Sequence, residues 1–255
     1  MAKAYRPKDE WKKEFLDIFN TLCRTRSSWQ VWQDFVYMTA ITISNTLMKQ
    51  DKDNPVWVER EQEYLECAKR FGDDCDKISN LFAITVMALE NNPNQDFLGE
   101  LYMALNLGNH WKGQFFTPYD VCKLMSEMGI GDNKETIEEK GYVSINDCAC
   151  GAGATLIAAA NTLREHGINY QLHSFFVAQD IDRVVGLMCY IQLSLLGCAG
   201  YVVIANSLTN PVVGDVLLPE HKEGQEFWYT PMYCADVWDM WRKCKMMDSF
   251  IRTIA

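Results

Sequence analysis

After Gly113 the chain changes its repeat, and that change restricts its fold more than any other feature of the sequence. Before it, apolar residues recur every three or four positions. Beyond it, short β-rich runs alternate with helical stretches. Tyr142-Val143-Ser144-Ile145 reads as a strand, Ala154 to His166 as a helix stopped by Gly167, and Ser174 to Ala178 as a second strand. Arg183 to Leu196 is a helix stopped by Gly197, and Tyr201 to Ala205 is a third strand. Strands separated by a helix do not pair as hairpins. They pair in parallel, with the helices as crossovers. The expected fold class is α/β.

The preceding residues, 1–112, predict a helical amino-terminal domain, and residues 113–255 a second domain. Trp11, Phe15, Ile18, Phe19 and Leu22 lie on one helical face, and a second apolar stripe runs from Trp29 to about Leu47. Further helices are expected from Val56 to Phe71, Asp76 to Glu90 and Asn94 to Leu107. Thr117-Pro118 is a helix start, with Thr as cap and Pro in the first turn. The helix that follows has Val121, Leu124, Met125 and Met128 as its expected buried face, and Gly131 to Lys140 reads as a loop.

Charge and cysteine usage narrow the function classes. The net charge of −10 argues against a free-standing surface that grips nucleic acid strongly. The ten cysteines include no C-x-x-C pair, and the four histidines are scattered, so no metal site is expected. No run is long and apolar enough to span a membrane, and the first residues do not read as a signal peptide. A reducing, cytoplasmic compartment is the expectation.

The chemistry concentrates at the strand ends. Asp147-Cys148-Ala149-Cys150-Gly151-Ala152-Gly153 follows the first strand and opens a helix. Glycines there allow a ligand to approach the backbone, and the helix start favours negative charge. The second strand ends in Gln179-Asp180-Ile181-Asp182, where an acid is placed to accept from ribose hydroxyls. The third ends in Asn206-Ser207-Leu208, where a polar side chain can read an adenine edge. All three lie at the carboxyl edge of a parallel sheet, the usual position of a nucleoside-containing ligand.

Gly113-Gln114-Phe115-Phe116-Thr117-Pro118, taken with the Asp147–Gly153 segment, resembles the N6-adenine DNA methyltransferase family, in particular the modification (M) subunit of type I restriction-modification systems. In that family a G-Q-F/Y-Y/F-T-P element precedes D-P-x-C-G-S-G. The resemblance covers about Asp96 to Leu208 well and Phe15 to Asn92 loosely. It implies a Rossmann-like sheet and S-adenosyl-L-methionine as cofactor. Gln114, Phe116 and Thr117 would line the methionine side, and Asp147 would hold the ammonium group. Ala149, Gly151 and Gly153 belong to the loop that the cofactor approaches. Asp180 would take the ribose hydroxyls, Ile181 would pack on the adenine, and Asn206, in the place of the family's usual Asp, would bond it.

The family accepts the target amino group with (Asp/Asn)-Pro-Pro-(Tyr/Phe) after its fourth strand. The ring of that tetrapeptide stacks on the extruded base. The chain contains no such tetrapeptide. Thr230-Pro231-Met232-Tyr233, after the strand-like Phe227-Trp228-Tyr229, is preferred on position, with Thr230, Pro231 and Tyr233 in the catalytic roles. Asn210-Pro211-Val212-Val213 is the alternative. Only about four strands are visible where the family has seven, so the sheet looks truncated. Trp238, Met240, Trp241, Met246, Met247 and Phe250 form an apolar last helix expected to cover an edge of it.

Three readings follow. One is a DNA adenine-N6 methyltransferase of restriction-modification type, or a subunit of one, reaching DNA with help from a specificity or other partner subunit or as a homo-oligomer. Another is a catalytically impaired cofactor-binding subunit with a regulatory or assembly role. The third is a methyltransferase acting on protein or a small molecule.

Overall fold

The computed structural model describes residues 9–48, 51–107, 116–130 and 133–254. The expected domain boundary at 112/113, Gln114 and Phe115 lie outside the described residues.

Five helices form the amino-terminal half: α1 (Glu10–Leu22), α2 (Ser28–Leu47), α3 (Pro55–Phe71), α4 (Cys75–Asn91) and α5 (Phe97–Ala104). Side-chain caps start four of them. Asp9 accepts from Trp11 N, Ser27 from Gln30 N, Asn54 from Val56 N and Asp96 from Gly99 N. The predicted aromatic stripes are core. Phe15, Trp32 and Phe35 are fully buried, with Phe15 lying 5.3 Å from Phe35 and 6.0 Å from Trp32.

The second half contains α6 (Tyr119–Ile130), α7 (Lys134–Lys140), β1 (Val143–Asp147), α8 (Ala154–Glu165), α9 (Tyr170–His173), β2 (Ser174–Asp180), α10 (Arg183–Leu195) and β3 (Ala199–Ile204). They are followed by β4 (Val213–Asp215), β5 (Leu218–Glu220), β6 (Glu226–Tyr229), a 3-10 turn (Pro231–Cys234) and α11 (Asp236–Ile254). The sheet order is β1-β2-β3-β6, and β4 and β5 make a separate hairpin. β1, β2 and β3 are parallel, as the alternation predicts. β6 is antiparallel to β3, with Tyr201 opposite Tyr229 and Ile204 opposite Glu226. The molecule is therefore α/β with a mixed sheet. A helix, α7, stands within the stretch read as a loop.

Each face of the sheet has its own cover. On one, α10 and α8 join the amino-terminal helices in a continuous core that includes Phe15, Tyr102, Ile157, Leu187, Tyr190 and Trp228. On the other, Phe175, Val177, Tyr201 and Val203 pack under Leu217 and Trp238. α11 covers this face through Trp238, and its Trp241 reaches Tyr142 beside the edge strand β1. Trp238 is fully buried and its indole N–H donates to Gln171 O at 2.8 Å. Met240, Met246, Met247 and Phe250 are exposed, contrary to the expectation for the last helix.

α6 corrects a second expectation. Its buried residues are Cys122 and Ser126, and Cys122 packs with Ala154 and Ala158 of α8. Val121, Leu124, Met125 and Met128 face solvent. Small side chains allow two helices to approach closely, and the larger residues are turned outward.

β6 is locked to the helical half by arginines. Arg60 is buried. It donates to Ser44 Oγ and, at 2.8 Å, to Phe227 O, with its guanidinium 3.5 Å from the Trp228 ring centre. Arg183 is paired with Glu63 and Glu226 at 2.6 and 2.8 Å. No helix among the described residues is long and apolar enough to cross a membrane.

Candidate functional site

The loop after β1 is built from backbone conformations that its glycines supply. Gly151 has φ +56° and Gly153 φ +97°, both left-handed. Gly153 also has no room for a side chain: a Cβ would lie 2.9 Å from Cys189 Sγ. Cys150 N donates to Gln179 O at 3.1 Å, which ties the loop to the end of β2. The Cys150 thiol is pushed up by the neighbouring Cys189 thiol and by burial, so this pair is apolar filling beneath the loop.

Asp147 ends β1. Its carboxylate accepts from Ala149 N at 3.1 Å and from the Thr155 hydroxyl of α8. Asp180 ends β2 and reaches across to the glycine loop, accepting from Gly151 N at 3.0 Å and from Asp182 N at 2.9 Å. Burial pushes the Asp180 carboxyl up, and those backbone donors oppose the shift. Asn206 follows β3, and its Oδ1 accepts from Leu208 N at 2.9 Å and Thr209 N at 3.3 Å. With Oδ1 engaged in this way, the side chain's remaining polar groups are its amide N–H donors. Ile181 is 68% exposed beside Asp180.

The Thr117-Pro118 element also meets the loop. Phe116 lies 3.4 Å from the position of a Cβ on Gly151 and stacks on Tyr102 at 5.4 Å. Thr117 is exposed at the start of α6, and Ala149 is exposed in the loop. The structure thus brings together Phe116, Thr117, Asp147, Ala149, Gly151, Gly153, Asp180, Ile181 and Asn206 at one edge. Gln114 lies outside the described residues.

Thr230, Pro231 and Tyr233 are not part of that assembly. β6 runs against β3, so its end returns to the amino edge of the sheet. Thr230 is fully buried there. Its hydroxyl donates to Cys198 O at 2.7 Å and accepts from Gly200 N at 3.1 Å. Tyr233 packs on Tyr229 at 4.4 Å, and the Arg242 guanidinium lies 4.0 Å from its ring. These residues close the fold at the edge remote from Asp147 and Asp180. The other pair, Asn210-Pro211, stands at the carboxyl edge, in the loop after β3. Gln179, which ends β2 with Asp180, donates to Asn210 O at 2.9 Å and accepts from Val212 N at 3.2 Å.

Sequence reasoning missed the supports of the site. Gln192 on α10 is fully buried. It donates to Ala152 O at 2.9 Å and Asp96 Oδ1 at 2.7 Å, and accepts from Leu98 N at 3.1 Å. One amide therefore joins α5, α10 and the glycine loop. A lone glutamine in the apolar run Leu187–Leu196 was the available signal. Thr155 and Gln179 carried no such mark. Among the described residues no three His, Cys, Asp or Glu side chains are grouped to hold a metal ion.

No curated protein shows significant similarity to the chain. The sequence model of the N-6 DNA Methylase family matches residues 94–239, from the cap of α5 through the glycine loop and both strand-end acids into α11. With more than half of its length matched, the chain belongs to the N-6 DNA methylase family.

Proposed function

We propose that the chain is a DNA adenine-N6 methyltransferase of restriction-modification type, or a subunit of one, which binds S-adenosyl-L-methionine on a Rossmann-like sheet. The observation that carries the reading is the meeting of Asp180 with the Gly151 amide at 3.0 Å, beside Asp147. It makes one cradle from two strand ends and a left-handed glycine turn. The residues suit the cofactor. Gly151 and Gly153 allow backbone approach, and Asp147 offers a carboxylate to the ammonium group. Asp180 accepts from ribose hydroxyls, Ile181 and Asn206 meet the adenine, and Gln114, Phe116 and Thr117 flank the methionine. When bound, the cofactor supplies an electrophilic methyl group.

In this reading residues 113–255 form the cofactor domain and residues 1–112 the helical domain. DNA is the substrate and the setting is cytoplasmic. A specificity or other partner subunit, or a second copy, compensates for a chain of net charge −10. Asn210 replaces Thr230 as the acceptor candidate for the target amino group. Its amide donates to Glu223 O at 3.0 Å, and Oδ1 remains as acceptor.

A second reading is a cofactor-binding subunit with a regulatory or assembly role. It is favoured by the position of Thr230, Pro231 and Tyr233 at the remote edge. Transfer of labelled methyl groups to genomic DNA, with and without partner subunits, separates the two. Calorimetry tests the cofactor claim they share. The unaltered chain is expected to bind S-adenosylmethionine at micromolar concentrations, and Asp180→Ala to weaken it at least tenfold. Equal affinity in the variant would remove Asp180 from the site.

A further inference from the structure

We propose that α2 of the helical half forms the outer wall of the adenosine subsite, with Trp29 as its stacking surface and Gln33 as its base-reading amide. The inference rests on the cofactor reading above. A groove of 510 Å³ runs between α2 and the turn from β2 into α10. Trp29, Gln33 and Tyr37 line one side of it, and Ile181 and Val184 the other. Trp29 and Ile181 remain exposed, at 40% and 68%. A single exposed apolar residue needs no explanation. Two that line one groove make a slot suited to a flat ring. Ile181 directly follows Asp180, so the groove opens where a ribose held by Asp180 carries its base.

The walls are set in advance. Trp29 meets Tyr102 edge-on at 6.4 Å, and Tyr102 stacks on Phe116 at 5.4 Å. An unbroken aromatic line thus connects the groove to the residue that covers Gly151. Tyr37 is held by Gln33 Nε2, which donates to its hydroxyl at 3.1 Å, and by the Arg183 guanidinium 4.4 Å from its ring centre. Rigid walls reduce the ordering cost of binding.

The polar groups favour a neutral nucleoside base. Gln33 uses an amide N–H on Tyr37, so its Oε1 is the acceptor left for an exocyclic amino group. Among the described residues lining the groove the only cation is Arg183, which is already paired with Glu63 and Glu226. A phosphate therefore has no cation to bind here, which disfavours a nucleic-acid backbone.

The experiment is calorimetric titration of the unaltered chain, Trp29→Ala, Trp29→Phe and Gln33→Ala. The ligands are S-adenosylhomocysteine, S-inosylhomocysteine, whose ring has an oxo group in place of the amino group, and a single-stranded oligodeoxynucleotide. Thermal unfolding of each free protein checks the fold. Trp29→Ala is expected to weaken S-adenosylhomocysteine about tenfold or more, and Trp29→Phe to recover most of that loss. Gln33→Ala is expected to erase the preference for the adenine over the hypoxanthine ring. It also carries the test should Trp29→Ala not fold. If the unaltered chain binds and both Trp29→Ala and Gln33→Ala bind equally well, the subsite is overturned and the cofactor reading stands. If the unaltered chain binds neither S-adenosylhomocysteine nor S-inosylhomocysteine, both fall. If Trp29→Ala loses affinity only for a single-stranded oligodeoxynucleotide, the groove belongs to nucleic acid and the proposal is overturned.

Discussion

Asp96 shows how one residue can support the glycine loop through another side chain. It caps α5 and accepts from Gly99 N at 2.9 Å and from Gln192, whose amide also holds the glycine loop at Ala152. Burial raises its carboxyl from 3.8 to about 6, against the pull of the Gln192 and Gly99 donors. The folded chain therefore holds this proton more tightly than the unfolded one. The carboxyl's contribution is most favourable below about pH 4 and is lost as the pH rises through about 6. Asp96→Asn keeps an acceptor oxygen and cannot ionise. It is expected to match the unaltered chain at pH 4 and to exceed it at pH 8 by on the order of 2 kcal/mol. Thermal melts at the two pH values check this. A variant less stable at pH 8 would mean that hydrogen bonds to the ionised carboxylate outweigh its burial. The sequence reading begins this helix at Asn94 and so misses the cap at Asp96, and it misses the link to the glycine loop because Gln192 lies 96 residues away.

At the scale of elements, α6 separates what periodicity reveals from what it leaves open. Spacing identified the helix. It also nominated Val121, Leu124, Met125 and Met128 as the buried face, because those residues are the most apolar. The neighbour decided otherwise: α8 presents Ala154 and Ala158, and the small Cys122 and Ser126 fit against it. Leu124→Glu and Met128→Glu are expected to change the unfolding free energy by less than about 0.5 kcal/mol. Cys122→Leu is expected to cost about 1–3 kcal/mol through overpacking. Denaturant unfolding of the three variants checks the assignment, and a large loss in Met128→Glu would reverse it. α11 repeats the lesson, with Trp238 buried and Met247 and Phe250 exposed on one apolar helix.

Across the whole molecule the sheet has two edges with different work. The carboxyl edge gathers Asp147, the glycine loop, Asp180 and Asn206. The amino edge holds Thr230, where one hydroxyl bonds Cys198 O and Gly200. Thr230→Val keeps the shape and removes those bonds. It is expected to cost about 1–3 kcal/mol of stability and to leave affinity for S-adenosylmethionine unchanged. Melting and calorimetry on the same preparation check both halves. A loss of affinity without a loss of stability would return Thr230 to the ligand site.

The amino-acid sequence by itself determined the class of fold, the helices and the run of parallel strands. It also marked the positions of Asp147, Gly151, Gly153 and Asp180. These are local properties: periodicity, caps, left-handed glycines and residues adjacent to a strand end. The tertiary structure alone decided the direction of β6, the inward face of α6 and the network through Gln192. It also decided the approach of α2 to Ile181. Each of these depends on which distant surface arrives opposite, and side-chain spacing along one element carries no record of its partner. A strand pattern such as Glu226–Tyr229 is the same read in either direction. Arg60 and Arg183 anchoring it to the helical half, and pairing with β3, turned its end away from the carboxyl edge of the parallel strands.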